Sequence, residues 1–312
     1  MLIRTPLTPA RLFRLPLATL TSCFRPAILV VVGAAMSLTA VARAQWTVTN
    51  LHPSGATQSQ AFGVSDAGQV GNATISGIPR ASLWSGTAVS RVTLHPAGAS
   101  ASQCLGASGT RQVGAATISN VGRASLWTGT AASLVDLNPA GAAFSLAIGA
   151  SGTQQVGFAR IDNITRAGLW SGTAGSWVDL NPTGSNDSIA NGTSGTQQVG
   201  AASVGGVSRA SLWSGAAATW VNLNPAGSTD SVAYATSGMQ QVGFAAIGNG
   251  VPRASLWSGT AGSSDDLSIT LTGSWRSSFA RSIGTTRPRS TWRATAGITP
   301  PGETRPCCGR GR

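Results

Sequence analysis

Residues 138–180 read NPAGAAFSLAIGASGTQQVGFARIDNITRAGLWSGTAGSWVDL, and the same text occurs four more times along the chain with small changes. Its Leu169-Trp170 pair has counterparts at Leu83-Trp84, Leu126-Trp127, Leu212-Trp213 and Leu256-Trp257. A second marker, Leu180-Asn181-Pro182, keeps step at Leu51-His52-Pro53, Leu94-His95-Pro96, Leu137-Asn138-Pro139 and Leu223-Asn224-Pro225. The units are 52–94, 95–137, 138–180, 181–223 and 224–267, and the 43-residue period (Trp84 to Trp127, for instance) holds until Gly248-Asn249-Gly250 adds one residue. An insertion there marks a surface turn. A period of about 40 to 50 residues indicates blades or arrays, because one unit cannot bury its own apolar face.

Inside the quoted unit, four short strands are expected: Ser145–Ala150, Gln155–Ile161, Arg166–Trp170 and Ser176–Leu180. Ser151-Gly152-Thr153, Asp162-Asn163 and Ser171-Gly172-Thr173-Ala174-Gly175 between them are turn chemistry. No stretch has helical periodicity, and four strands per unit match a β-propeller blade better than a coil of a β-helix, whose repeats are shorter. The expectation is all-β: five complete four-stranded blades plus a partial sixth, over residues 45–283. Thr47–Leu51 resembles a fourth strand with no unit before it, and Ser277–Ile283 resembles a first strand after the fifth unit. Joining the two would build a composite sixth blade and hide both open edges.

The net charge of +12 suggests nucleic acid until its distribution is examined. All 21 basic residues are Arg; five lie in 1–44, and eight lie in 268–312 beside the lone Glu303. The body, 45–267, balances eight Arg with eight Asp. A basic face, which nucleic-acid binding requires, is missing from the part that folds.

Residues 1–44 have the marks of a signal peptide: Arg-bearing start, apolar run Ala27–Ala42, then Ala42-Arg43-Ala44 as a small-x-small cleavage site before Gln45. The alternative, an uncleaved anchor, is opposed by a run shorter than the ~20 residues a spanning helix needs. The expected location is secreted, extracellular or periplasmic, with no integral membrane segment after cleavage. Cys104 is the body's single thiol; Ala61, Ala147, Ala190 and Ala233 hold its place elsewhere, so it reads as a small packed side chain. Zinc is excluded for want of Cys and His ligands, and no cofactor is implied. From about Thr285 the unit pattern stops, and 284–312 reads as a basic tail without regular structure. Codons for Leu-Leu-Trp read one base late begin Cys-Cys-Gly, as at Cys307-Cys308-Gly309, so the tail reads either as a frame-shifted continuation of the sixth blade or as an authentic basic tail.

Gln154-Gln155-Val156-Gly157, Arg166-Ala-Gly-Leu-Trp170 and Asp179-Leu180 together resemble the HAF family of bacterial extracellular repeats, over residues 52–267. The resemblance implies an exported, propeller-like protein of undefined molecular role. Arg166 stands where that family has His, and Gly168 where it has Phe.

Enzyme chemistry finds little support. His52 and His95 share a position that is Asn138, Asn181 and Asn224 elsewhere, so they read as turn residues. No Gly-x-Ser-x-Gly elbow or metalloprotease motif occurs. Arg80, Arg123, Arg166, Arg209 and Arg253 open the third strand of every unit. They read either as an anion or acidic-glycan site or as structural partners of Asp136, Asp179, Asn222 and Asp266 in a neighbouring blade. Trp177 and Trp220 replace Arg91, Leu134 and Ser264, and so are expected to be exposed, as a sugar-stacking platform or as fourth-strand edge packing. The leading expectation is a non-catalytic binding or surface-scaffold propeller whose partner is a glycan or a protein. A lectin is the alternative within binding, and a hydrolase or lyase built from Asp and Arg is the alternative in another class.

Overall fold

The computed structural model describes residues 47–248 and 250–268. The chain divides into Met1–Val48 and Thr49–Arg312, and every described strand belongs to the second unit. The strands are β1–β4 (Ala56–Ser65, Gly68–Ile75, Ile78–Trp84, Val92–Thr93), β5–β8 (Ala101–Ser108, Arg111–Ile118, Val121–Trp127, Val135–Asp136) and β9–β12 (Phe144–Ser151, Gln154–Ile161, Ile164–Trp170, Val178–Asp179). They continue as β13–β16 (Ser185–Thr193, Gln198–Val204, Val207–Trp213, Val221–Asn222) and β17–β20 (Ser228–Thr236, Gln241–Ile247, Val251–Trp257, Asp265–Asp266). Each group of four is one antiparallel meander, giving five four-stranded sheets that are the blades of a β-propeller.

Local chemistry explains the hairpins. Asp162 and Asn163 both take positive φ (52° and 61°) between Ile161 and Ile164, the two-residue turn that matches strand twist. Ser119-Asn120 and Gly205-Gly206 repeat it, and the extra residue of the fifth unit falls at this same turn. The fourth strand is shorter than expected: Ala174–Ser176 is a 3-10 turn, and only Val178–Asp179 pairs with β11. Ser176 is diverted because its hydroxyl donates to the Thr173 carbonyl and accepts from Ser171 N–H.

Consecutive blades stack face to face, which is why the strands are apolar on both sides rather than alternating. Val156, Ala167, Leu169 and Leu180 of the third blade meet Ala190, Ala202 and Trp213 of the fourth in one buried cluster. Equivalent clusters join the first blade to the second, the second to the third and the fourth to the fifth. All five Leu-Trp tryptophans are at most 1% exposed, as their recurrence predicts. Backbones approach closely where the glycines recur: a Cβ on Gly157 would lie 1.9 Å from the Leu146 carbonyl oxygen of the adjacent strand. That contact sits at the bulge in β9, whose counterparts recur in all five first strands.

The last blade is more open than the others. Val242 is 40% and Leu267 50% exposed, whereas Val70, Val113, Val156, Val199 and Leu94, Leu137, Leu180, Leu223 are all at 0%. Thr47–Leu51 carries no strand pairing, and Ser277–Ile283 with the rest of the expected sixth blade and tail lies outside the described residues. The expected signal peptide lies outside them as well.

Candidate functional site

The recurrent polar residues converge on blade joints. In the third blade, Asn138 stands before Pro139 at the blade entry, and its Oδ1 accepts from Ser145 Oγ at 2.6 Å. The same Ser145 Oγ accepts the Ala124 N–H of the preceding blade at 2.8 Å. Asn181-Ser188-Ala167 and Asn224-Ser231-Ala210 repeat this relay, and His95-Ser102-Ala81 substitutes an imidazole Nδ1 for the amide oxygen. Each Ser is at most 3% exposed, and each capped Ala is fully buried. The hydroxyl therefore satisfies an edge N–H that no strand could reach, a group costly to leave unpaired. The histidines do serve an entry turn, as expected, and also hold this serine. Burial first, and the Arg80 charge second, lower the His95 pKa, against a backbone hydrogen bond at Ala99 that raises it. His52 makes the same contact with Ser59 Oγ (2.9 Å), and its other nitrogen meets the Ala56 carbonyl.

Three of the five repeated arginines form ion pairs, and these lie within a blade rather than between blades. Arg123–Asp136, Arg166–Asp179 and Arg253–Asp266 close at 2.8, 2.9 and 2.8 Å, each from third strand to fourth strand of one sheet. The antiparallel register carries the third-strand Arg past its own fourth strand, so the nearest carboxylate is local. The same aspartates accept from the backbone N–H at the following entry turn, Asn138 and Asn181, with Ser268 in the last case. These bonds, the Arg253 contact foremost, hold the Asp266 carboxyl down to about 2. Where Asn222 replaces the acid, Arg209 Nε donates to the Val204 carbonyl instead. Arg80, whose blade has Thr93 at the acid's position, instead adds its charge to the burial that lowers the Arg91 pKa. The three ion-paired arginines are bound to separate blades, each to its own carboxylate.

Trp177 and Trp220 are half-buried, which corrects the expected exposure. Trp177 packs beside Trp170 (ring centroids 4.7 Å) at the joint of the second and third blades, and Trp220 packs at the next joint. Their position answers to the residue nine places earlier. Trp220 Nε1 and Arg91 Nε each donate to a serine there, Ser211 and Ser82, at 2.8 Å. Trp177 instead fills the space above Gly168, where a Cβ would fall 1.8 Å from its ring.

A buried glutamine in four of the five second strands was not singled out by the sequence. Gln112, Gln155, Gln198 and Gln241 are fully buried, and each Oε1 accepts the N–H of the glycine after its Leu-Trp pair, as at Gly172. Its recurrence inside an apolar run was the available signal. Cys104 is fully buried, and burial pushes its thiol up to about 12, which removes it as a nucleophile. No group of three or more metal-ligating side chains occurs among the described residues, and no helix there is long and apolar enough to cross a membrane.

No protein-family model matches the chain, and no curated protein does. Among solved structures, it is similar to a TolB candidate from Agrobacterium tumefaciens at 12% identity and TM-score 0.48, over 67% of this chain and 80% of that one. TolB from Acinetobacter baumannii is similar at 10% identity and TM-score 0.41, over 66% of this chain and 53% of that one.

Proposed function

We propose that the protein is an exported, non-catalytic binding or scaffold module, of the kind the HAF-repeat resemblance implies. One observation carries this reading: the polar side chains that recur in every blade are engaged in holding the fold. Asn and Ser cap a neighbouring blade, Gln holds the Trp-Gly turn, and in three blades Arg holds the Asp that fixes the next entry turn. What differs between blades is the exposed surface, where Phe62, Tyr234 and Met239 are each 41% exposed or more. Residues free to vary on a rigid frame are the ones available for recognition. Protein or cell-surface material is the favoured partner class, since both tryptophans proposed for sugar stacking are tied into blade joints.

The test is to incubate the purified chain with cell-envelope fractions and, separately, with panels of chromogenic glycosides, esters and polysaccharides. Saturable binding to one envelope fraction without turnover is the expected result. Turnover that falls when Asp136 or Asp179, each paired with an arginine, is changed to Asn in a folded variant would establish the hydrolase or lyase reading instead.

A further inference from the structure

The outward face of the fifth blade repeats, in exposed form, a surface that is covered four times elsewhere in the same molecule. In the last internal joint, Val199, Ala210, Leu212 and Leu223 are buried beneath the first strand and Trp257 of the next blade. Their counterparts Val242 and Leu267 are 40% and 50% exposed, and Ala254 is exposed where Ala81, Ala124, Ala167 and Ala210 are all at 0%. The polar half of the joint is open too. Those four alanines donate their N–H to a serine 21 residues downstream, whereas the Ala254 N–H has no such hydroxyl among the described residues.

We propose that this face docks a strand of the same chain, Ser277–Ile283, with Ser278 as the hydroxyl that caps Ala254. Every first strand that covers such a face carries serine, one variable residue and a small apolar residue: Ser102-Gln103-Cys104, Ser145-Leu146-Ala147, Ser188-Ile189-Ala190 and Ser231-Val232-Ala233. The pattern returns as Ser278-Phe279-Ala280. Leu223 to Ser231 is eight positions, as in the three earlier joints, and Leu267 to Ser278 is eleven, so the chain reaches the face with residues to spare. One residue alters the fit. Ala235 occupies the place of Gly63, Gly106, Gly149 and Gly192, where an added Cβ would lie between 2.6 and 3.2 Å from the next strand's carbonyl oxygen. The incoming strand therefore sits slightly farther out than its four precedents. A second copy presenting Ser59-Gln60-Ala61 is the competing occupant, and tethering favours the strand already on the chain.

Amide hydrogen exchange on the full chain, resolved residue by residue, decides the matter. The Ala254 amide is expected to be protected to within about tenfold of Ala210, independently of protein concentration. Ala280→Arg, which places a charge where a small apolar residue must be buried, should return Ala254 to the rate of an exposed amide. The Ala124, Ala167 and Ala210 amides should keep their protection and so verify the fold. Exposed-amide exchange at Ala254 in the unaltered chain would overturn the proposal. Protection that rises with protein concentration, which a second copy would cause, or protection that survives Ala280→Arg, would do so equally.

Discussion

Replacing Ser188 by Ala removes one oxygen and little volume, yet the relay makes that oxygen answerable for two partners. Ser188 Oγ accepts from Ala167 N–H at 2.9 Å and donates to Asn181 Oδ1 at 2.6 Å. Ala167 is at 0% exposure and Ser188 at 2%, so water cannot replace the lost acceptor without opening the joint. An orphaned buried N–H costs about 1–3 kcal/mol and the lost bond to Asn181 about 0.5–1.5 kcal/mol, so the expected destabilisation is ~2–4 kcal/mol. Ser59→Ala is the internal control, because Ser59 holds His52 but caps no backbone N–H of another blade among the described residues, and its cost should stay under ~1 kcal/mol. Urea unfolding followed by tryptophan fluorescence measures both, with unchanged m-values showing that the transition is the same one. Equal losses for the two variants would refute the claim that the serine works by capping its neighbour.

Trp170→Ala should cost about 3–5 kcal/mol in the same assay, since the ring is fully buried between blades and packed on Trp177; a loss under about 1 kcal/mol would mean that the blades do not depend on these wedges. Arg166→Gln should cost no more than about 1 kcal/mol, because its ion pair is partly solvated, with side chains 26% and 37% exposed; a substantially larger loss would show the pair to be a structural keystone. His95 supplies a pH test: its folded pKa lies below the ordinary 6.5, so its contribution is complete above that value and is lost as the pH falls through it. His95→Asn should therefore flatten the stability profile as the pH falls below the ordinary 6.5, and an unchanged slope would assign the effect elsewhere.

Much of the architecture was legible because the repeat displays it five times. The Leu-Trp pairs, the Asp162-Asn163 turn and the pairing of Arg166 with Asp179 could each be read from recurrence and register. The location of that ion pair within one blade could not, since equal spacing in every unit fits a partner in the same sheet or in the next. The fourth strand was overestimated because Ser176 and Val178 have strand chemistry, and only the hydroxyl bond back to Thr173 shows that the chain turns first. Ser188 and Gln155 passed as ordinary polar residues. Their burial follows from the stacking of blades on both faces, which alternation within a single strand does not encode. Trp177 seemed exposed because its position varies, but the variation is matched nine residues earlier by Gly168, whose missing side chain makes room for the ring.

The serine cap also sets a direction in time. In the first four blades the edge amide is completed by a hydroxyl 21 residues downstream, and the apolar face by the unit that follows. Contacts this close along the chain cost little loop-closure entropy, so assembly is expected to proceed quickly and by neighbours rather than through one distant nucleus. As the chain is synthesised, every unit emerging from the ribosome finishes the one before it while remaining unfinished itself. The growing end is then the one place where an uncapped edge and an uncovered face are presented together, and it moves forward one blade at a time.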